Sequence, residues 1–412
     1  MTEYDIKLKQ EDLVALLTKD DSMSQLVTEV VNQVLEAQMT EHLGADRYSH
    51  DKGRKGYRNG YRPRKLYTRV GTLTLRVPQT RDGSFSTEIF RRYQRSEQAL
   101  LSSLMQMYLQ GVSTRKVSKI TEELCGVSFS KSTVSEVCIE LDARIKAWKT
   151  RRFDNQRYPF IIVDALVTDV RRDHAVRSTG VLVAYGVNDK GYREVLGFVV
   201  ADSETEAGWL ELFKDLRTRG LKGVDLVVSD AHTGLVKALK AQFQGASWQR
   251  CQAHFIRNIL GHSPRHCRKE IASKLTPMFT AADMQTARAL AKSIIAEFEK
   301  KAAKAMECLE RGLDSALTVL TFPEYYRKRL RTSNLAERVN EEIRRREKII
   351  RVFPNEKSAE RLVGALLAEM HDTWQESMRY FDMQEYWDFK QDAQSGEDTE
   401  AVVDNVVSIT DC

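Results

Sequence analysis

The sequence predicts a mixed α/β fold. A core of order βββαβα…α is interrupted by an all-helical insertion and preceded by a mainly helical, basic region. Three observations predict it. Residues 158–243 carry short apolar runs and helical stripes in the order strand, strand, strand, helix, strand, helix. Residues 255–330 show helical patterning throughout. Residues 51–95 hold 13 Lys/Arg against 3 Asp/Glu, a local excess of ten in a chain of net charge +6.

Composition bounds the rest. At 412 residues the chain is long enough for two to four domains. With 42% hydrophobic and 30% charged residues it can bury real cores, which excludes a disordered chain. Gly 21 and Pro 7 exclude collagen-like and Pro-rich material. No apolar run approaches the ~18–20 residues of a membrane helix. Met1–Asp5 shows no basic or apolar leader, and the cysteines at 125, 138, 251, 267, 308 and 412 are scattered. A reducing, cytoplasmic setting without a disulfide framework is expected.

The elements follow in order. Residues 1–50 form an N-terminal helical region. Its helix over 22–43 shows Leu26, Val27, Val30, Val31, Val34 and Leu35 on one stripe, with Ser22 or Ser24 to cap it and Gly44 to end it. Residues 51–98 comprise a basic arm, Lys52–Arg64, and a small hairpin over 66–78 turning at Gly71. In the arm, Arg and Lys suit phosphates, Tyr57 and Tyr61 suit stacking, and the glycines allow close backbone approach; a solvated loop is the plain alternative. Residues 99–150 read as helix, Gly126 turn, helix, a helix-turn-helix whose second helix is headed by Lys131, Ser132, Thr133 and Ser135. Strands are expected over 159–168, 179–186, 193–200 and 226–230, with helices over 204–219 and 232–243. The α/β core therefore takes 151–254 and 331–375, with further helices at 333–351 and 356–375. Residues 376–412 are a C-terminal segment; its last 22 residues hold six acids and no base and are expected to be a disordered tail.

Asp164 carries the sharpest chemistry. It interrupts an otherwise apolar run, Phe160–Val167, with no cation within four positions. Such a carboxylate needs a partner from elsewhere, an Arg or a metal ion. Asp230 closes the fourth strand and could instead cap the following helix. Acids on adjacent central strands can hold Mg²⁺ between them. Cys251-x-x-His254, with His262, His266 and Cys267, has zinc-ligand residue types, but its spacing matches no standard finger. Trp248 would pack in a core or stack on a distorted base. Glu337 fits both a helix-start cap and a metal ligand, and Glu341 or Glu342 could serve instead. Glu337, Asn340, Glu341 and Arg344 share one helix face. Arg338, Arg344, Arg345 and Arg346 read either as a solvated face or as phosphate contacts.

Several stretches carry a resemblance: Tyr57-Arg58-Asn59-Gly60-Tyr61-Arg62, Arg81-Asp82-Gly83-Ser84-Phe85, Val163-Asp164-Ala165, Val228-Ser229-Asp230-Ala231-His232, Trp248 through Asn258, and Thr332 through Arg345. In this order, over roughly residues 20–375, the chain resembles the mutator-type DDE transposases of bacterial insertion sequences. The resemblance implies an RNase H-like core and places the third acid on Glu337. Sequence separations of 66 between Asp164 and Asp230, and 107 between Asp230 and Glu337, leave room for a helical insertion before that glutamate. It further implies two Mg²⁺ on Asp164, Asp230 and Glu337, with Mn²⁺ able to substitute, and Mg-dependent cleavage and strand transfer. Trp248, Cys251 and His254 fall in a recurrent motif near the active site. The implied partners are double-stranded DNA, as terminal inverted repeats and target, and a second copy of the chain, in a bacterial, nucleoid-associated setting. The expected DNA contacts are Arg54, Lys55, Arg58, Arg62, Arg64, Lys131, Ser132, Arg338, Arg344 and Arg345. Two rivals stay open: a non-catalytic DNA-binding regulator, and an RNase H-like nuclease that cuts without joining.

Overall fold

The computed structural model describes residues 22–49, 53–68, 70–89, 107, 119, 121–122 and 141–395. The chain divides into two compact units, Met1–Leu141 and Asp142–Cys412. The expected helix-turn-helix, with Lys131 and Ser132, lies outside the described residues save for isolated positions and residues 141–150. Among the described residues, no helix is long and apolar enough to cross a membrane.

In the first unit, helix α1 (Ser22–Leu43) packs on a two-stranded antiparallel sheet, β1 (Arg58–Thr68) and β2 (Gly71–Thr80). The stripe predicted on α1 supplies Leu35, Val27 and Val31, which meet Leu66, Leu73, Leu75 and Val77. The expected basic arm is therefore not a loop from Arg58 onward; it is strand β1. Alternation along β1 turns Leu66 and Thr68 inward and leaves Lys65 exposed; Arg62, nearer the bulged end of the strand, is exposed as well. Pro63 is tolerated because a two-stranded sheet leaves each strand an open edge.

The second unit is built on a five-stranded sheet of order β5-β4-β3-β6-β7. Strands β3 (Phe160–Arg172), β4 (Ala175–Val187) and β5 (Arg193–Ala201) form an antiparallel meander. Helix α2 (Glu206–Thr218) crosses to β6 (Leu226–Ser229), which runs parallel to β3. Helix α3 (Thr233–Gln242) then crosses to β7 (Ser247–Arg250), parallel to β6. Parallel neighbours require such crossovers. Odd-numbered residues of β3, Ile161 and Val163, join Trp209, Leu212, Phe213, Leu235 and Leu239 of α2 and α3 in one core layer.

Helices α4 (Gln252–His262), α5 (Arg268–Phe279), α6 (Met284–Phe298) and α7 (Ala303–Leu317) form a second core around Phe255, Ile271, Leu275, Ile294 and Leu309. The buried Gln249 side chain ties this bundle to β7. It donates to the Ala316 carbonyl at 2.9 Å and accepts from the Val319 N–H at 2.6 Å. Helices α8 (Glu324–Leu330), α9 (Asn334–Ile350), α10 (Glu356–Glu376) and α11 (Gln384–Ser395) complete the unit. Phe160 packs its ring against Tyr326 and Tyr386, and Tyr185 packs against Trp374, so these helices cover the sheet's other face.

The structure differs from the sequence expectation at three further points. The meander strands run longer, to Arg172 and from Ala175. A fifth strand, β7, was not expected, because Ser-Trp-Gln-Arg is four residues long and largely polar. Helix α11 runs on through Ser395, into the start of the expected disordered tail, and is anchored ahead of it by Tyr386, which donates to Asp225 at 2.6 Å, and by Lys390, paired to the same carboxylate.

The turn before β5 has a strict glycine. Gly191 sits at φ +85°, and a Cβ there would run into the Phe381 carbonyl oxygen. Left-handed backbone costs a side-chain-bearing residue about 1–2 kcal/mol, and overpacking adds about 1–3. Gly191→Ala is expected to destabilise the chain by about 2–5 kcal/mol in urea unfolding; an unchanged midpoint would show that the turn relaxes freely.

Candidate active site

Asp164 and Asp230 are brought together by strand register. β3 and β6 pair Phe160 with Leu226, Ile161 with Val227 and Ile162 with Val228, an offset of 66. The same offset separates the two acids. Asp164 lies two residues past Ile162 and Asp230 two past Val228, so both acids leave the same end of the β3–β6 ladder, near enough for the charge of Asp230 to act on Asp164. Period-two alternation puts Asp164 on the face of Phe160, opposite to Val163. Asp164 is half-buried rather than fully enclosed. Asp230 follows the end of β6, and its Oδ1 accepts the His232 N–H at 3.1 Å. This is a turn ahead of α3, whose N-cap is His232, so Asp230 does not itself cap the helix.

Helix α9 supplies the third wall. Asn340 Nδ2 donates to Asp164 Oδ2 at 2.9 Å, so the partner demanded by Asp164 comes from an amide rather than an arginine. Glu337 lies one turn earlier on the same face. Its Oε1 stands 3.7 Å from His254 Nε2 and 3.9 Å from the Arg257 guanidinium. The alternatives for the third acid separate here. Glu341 is exposed, and Glu342 is engaged by Arg345 and Arg346 at 2.7 Å. Hydrogen bonds from Arg345, then from Arg346, hold Glu342 down to about 2.

Cys251 fastens the site together. Its N–H donates to the Ser229 carbonyl at 2.6 Å, and its Sγ accepts from the Ser333 N–H at 3.4 Å and hydroxyl at 3.3 Å. The end of β6, the start of α4 and the start of α9 meet at this one buried side chain. One α4 turn on, His254 faces Glu337. The Cys251 sulfur lies beside the imidazole, though more loosely than a conventional hydrogen bond, since Nδ1 has no partner at that geometry.

The electrostatics report crowded negative charge. Burial, then the neighbouring Asp230 and Glu337, push Asp164 up to about 7 against the pull of His254. Cys251, then Asp164 and Asp230, raise His254. Burial would raise the Cys251 thiol, but the adjacent His254 imidazole and hydrogen bonds from Ser333 bring it below its ordinary value. A fourth acid, Glu204, is raised by burial and by Asp230; it accepts from Trp209 Nε1 at 3.3 Å. The sequence reading missed Glu204, which lies in the loop between β5 and α2. Tyr185 was missed as well. Its buried hydroxyl lacks a hydrogen-bond partner, and burial and Asp164 both raise it.

A family profile described as Transposase, Mutator family matches residues 1–377. The chain belongs to the mutator family of transposases. The transposase for insertion sequence element IS256 in transposon Tn4001 of Staphylococcus aureus is 43% identical over 386 residues, covering 92% of this chain and 99% of that one. The transposase for insertion sequence element ISRM5 of Rhizobium meliloti is 42% identical over 375 residues, covering 91% and 94%. The transposase for IS1081 of Mycobacterium tuberculosis is 36% identical over 365 residues, covering 88% of each chain.

In this mutator-family transposase the other expected site residues fall in different settings. Arg58 is tied to α1, donating to Glu36 at 2.7 Å and Thr40 at 2.8 Å, so it braces the first unit rather than standing ready for a phosphate. Arg54 donates to the Gly56 carbonyl and lies over the Tyr57 ring. Lys55 and Arg62 are exposed and Arg64 is half-buried. Trp248 is buried in the α2/α3 core layer, its Nε1 donating to Ser229 at 2.9 Å. It packs as a core residue and offers no ring face to a base. Arg338 and Arg344 are exposed, whereas Arg345 is paired to Glu342. Cys267 belongs to the helical bundle core, away from Cys251. Among the described residues, no three His, Cys, Asp or Glu side chains already stand at ion-holding spacing.

Proposed function

We propose that Asp164, Asp230 and Glu337 are the DDE carboxylates of an RNase H-like core that nicks DNA at the ends of an insertion sequence and joins those ends to target DNA. The strand order β5-β4-β3-β6-β7 supports the RNase H-like reading. The carrying observation is the shared register of Asp164 and Asp230, with Glu337 close enough for its charge to act on Asp164.

The donor set suits a hard divalent cation. Three carboxylates stand near one another, and burial, then the charges of Asp230 and Glu337, push Asp164 to about 7. Asp164, Asp230 and Glu337 would hold two Mg²⁺, or Mn²⁺ in their place. When bound there, such ions lower the pKa of a coordinated water or DNA 3′-hydroxyl and stabilise the departing 3′-oxygen. The protein's own residues supply position. Asn340 orients the Asp164 carboxylate. Cys251 fixes α9 against β6, which sets Glu337 over the strand ends. His254 and Arg257 face Glu337 and temper its charge. The exposed basic residues of the first unit, Lys55 and Arg62, suit the backbone of terminal inverted repeats. Pairing two ends calls for at least two copies of the chain.

The test is an oligonucleotide assay with duplexes carrying the element's ends. Nicking and joining that require Mg²⁺ or Mn²⁺ are expected. Binding without cleavage would support the regulator reading, and cutting without joining the nuclease reading; either would overturn this one.

A further inference from the structure

A groove of about 760 Å³ lies where the end of α8, the start of α9, the start of β5 and the segment after α10 meet. Five cations line it: Arg193, Lys328, Arg329, Arg338 and Arg379. Its lining contains no acid. Among the described residues, none of the five stands within ion-pairing distance of a carboxylate. Three of them lie against rings instead, and Arg329 also donates to the Tyr380 carbonyl. Tyr380 is flanked by Arg329 at 4.7 Å and Arg193 at 4.9 Å from its centroid, and Arg379 lies 5.8 Å over Tyr192. A guanidinium stacked on a ring keeps its edge donors available. Burial lowers Arg193 below its ordinary value, and Arg329 and Arg338 lower it further, as expected of like charges gathered without a counter-charge.

The groove adjoins the acids along α9. Asn334 and Arg338 line it one helical turn apart, while Glu337 and Asn340 face Asp164 from the neighbouring stripe of the same helix. A chain of anions lying in the groove would pass within about one turn, ~5.4 Å, of Glu337. The space exceeds what a single phosphate fills, and crowded cations beside acids match a polyanion that continues past the groove toward the reacting centre.

We propose that this groove binds the phosphodiester backbone of the DNA strand entering the carboxylate site. The proposal rests on the DNA reading above. Each phosphate neutralised contributes about 0.9 to the slope of log affinity against log salt for duplex DNA. The test uses the full chain, a fluorescein-labelled duplex of mixed sequence and a salt titration. Lys328→Gln with Arg379→Gln, both exposed side chains, is expected to lower the slope by about 1–2. Lys328→Arg with Arg379→Lys is expected to keep it. Lys300→Gln with Lys301→Gln, on the helical insertion, removes equal charge and is expected to leave it unchanged. An unchanged slope in the first variant, or an equal fall in the insertion control, overturns the proposal. Loss of poly-glutamate binding with an intact duplex slope overturns it in favour of an acidic protein partner. The two readings fail separately. Cleavage with an unaltered slope defeats the groove alone, and a lowered slope without cleavage by the natural chain defeats the catalytic reading alone.

Discussion

An Asp164→Asn chain is expected to bind duplexes carrying the element's ends as the natural chain does, while its Mg²⁺- or Mn²⁺-dependent nicking falls by at least about a thousandfold. The substitution keeps size and shape. Its amide oxygen can still accept from Asn340 Nδ2, so α9 has reason to stay docked on β3. What it removes is one negative ligand from a set of three. Metal stabilisation of a developing charge is worth several kcal/mol, and each ~1.4 kcal/mol is a factor of ten in rate. The basic strand β1 belongs to the other unit and is untouched. A gel assay of nicked product, beside a binding titration, reads both halves. Undiminished nicking would refute the DDE assignment.

The same side chain is expected to make the chelator-treated protein less stable as pH rises. Asp164 titrates at about 7 in the fold and near 3.8 when ordinary. The folded state therefore holds a proton that the unfolded chain releases. Stability from this group is fully present below about pH 3.8 and is lost as pH climbs through 7. His254 is also raised, so it adds a loss of the same sign. The full shift corresponds to about 4 kcal/mol, and partial solvent access reduces it to roughly 2–4. Thermal unfolding between pH 5 and 8 should show a midpoint falling by several degrees. Asp164→Asn should flatten most of that slope. Mg²⁺ added at pH 8 should raise the midpoint of the natural chain and not of the variant, because only the former gains a ligand that favours the folded state. A flat profile in the natural chain would show that Asp164 is not held protonated.

The legible parts of this architecture were those written in local pattern. A lone acid in an eight-residue apolar run marked both β3 and Asp164. The stripe on residues 22–43 marked α1. The 66-residue separation of the two aspartates was visible as a number, but its meaning needed the register of β3 on β6. Asn340 was placed on the Glu337 face by helical spacing, yet nothing local said that it reaches Asp164. Cys251 meets Ser333 across 82 residues, so a clasp looked like half of a metal motif. The basic groove was invisible for the same reason, since its cations come from separate stretches around 193, 328, 338 and 379. Strand β7 escaped because four polar-leaning residues show no alternation.

The clasp has an architectural consequence. Gln252 N–H meets the Arg331 carbonyl at 3.0 Å beside the Cys251–Ser333 contact, so everything from α4 to α8 leaves and re-enters the sheet layer at one spot. The bundle is a pendant with a closed neck. Growth or trimming on its far side, away from Gln249, His254 and Arg257, leaves the three acids where they stand, provided the neck stays shut. Selection can thus remodel this appendage for new partners while the chemistry beneath it remains constant.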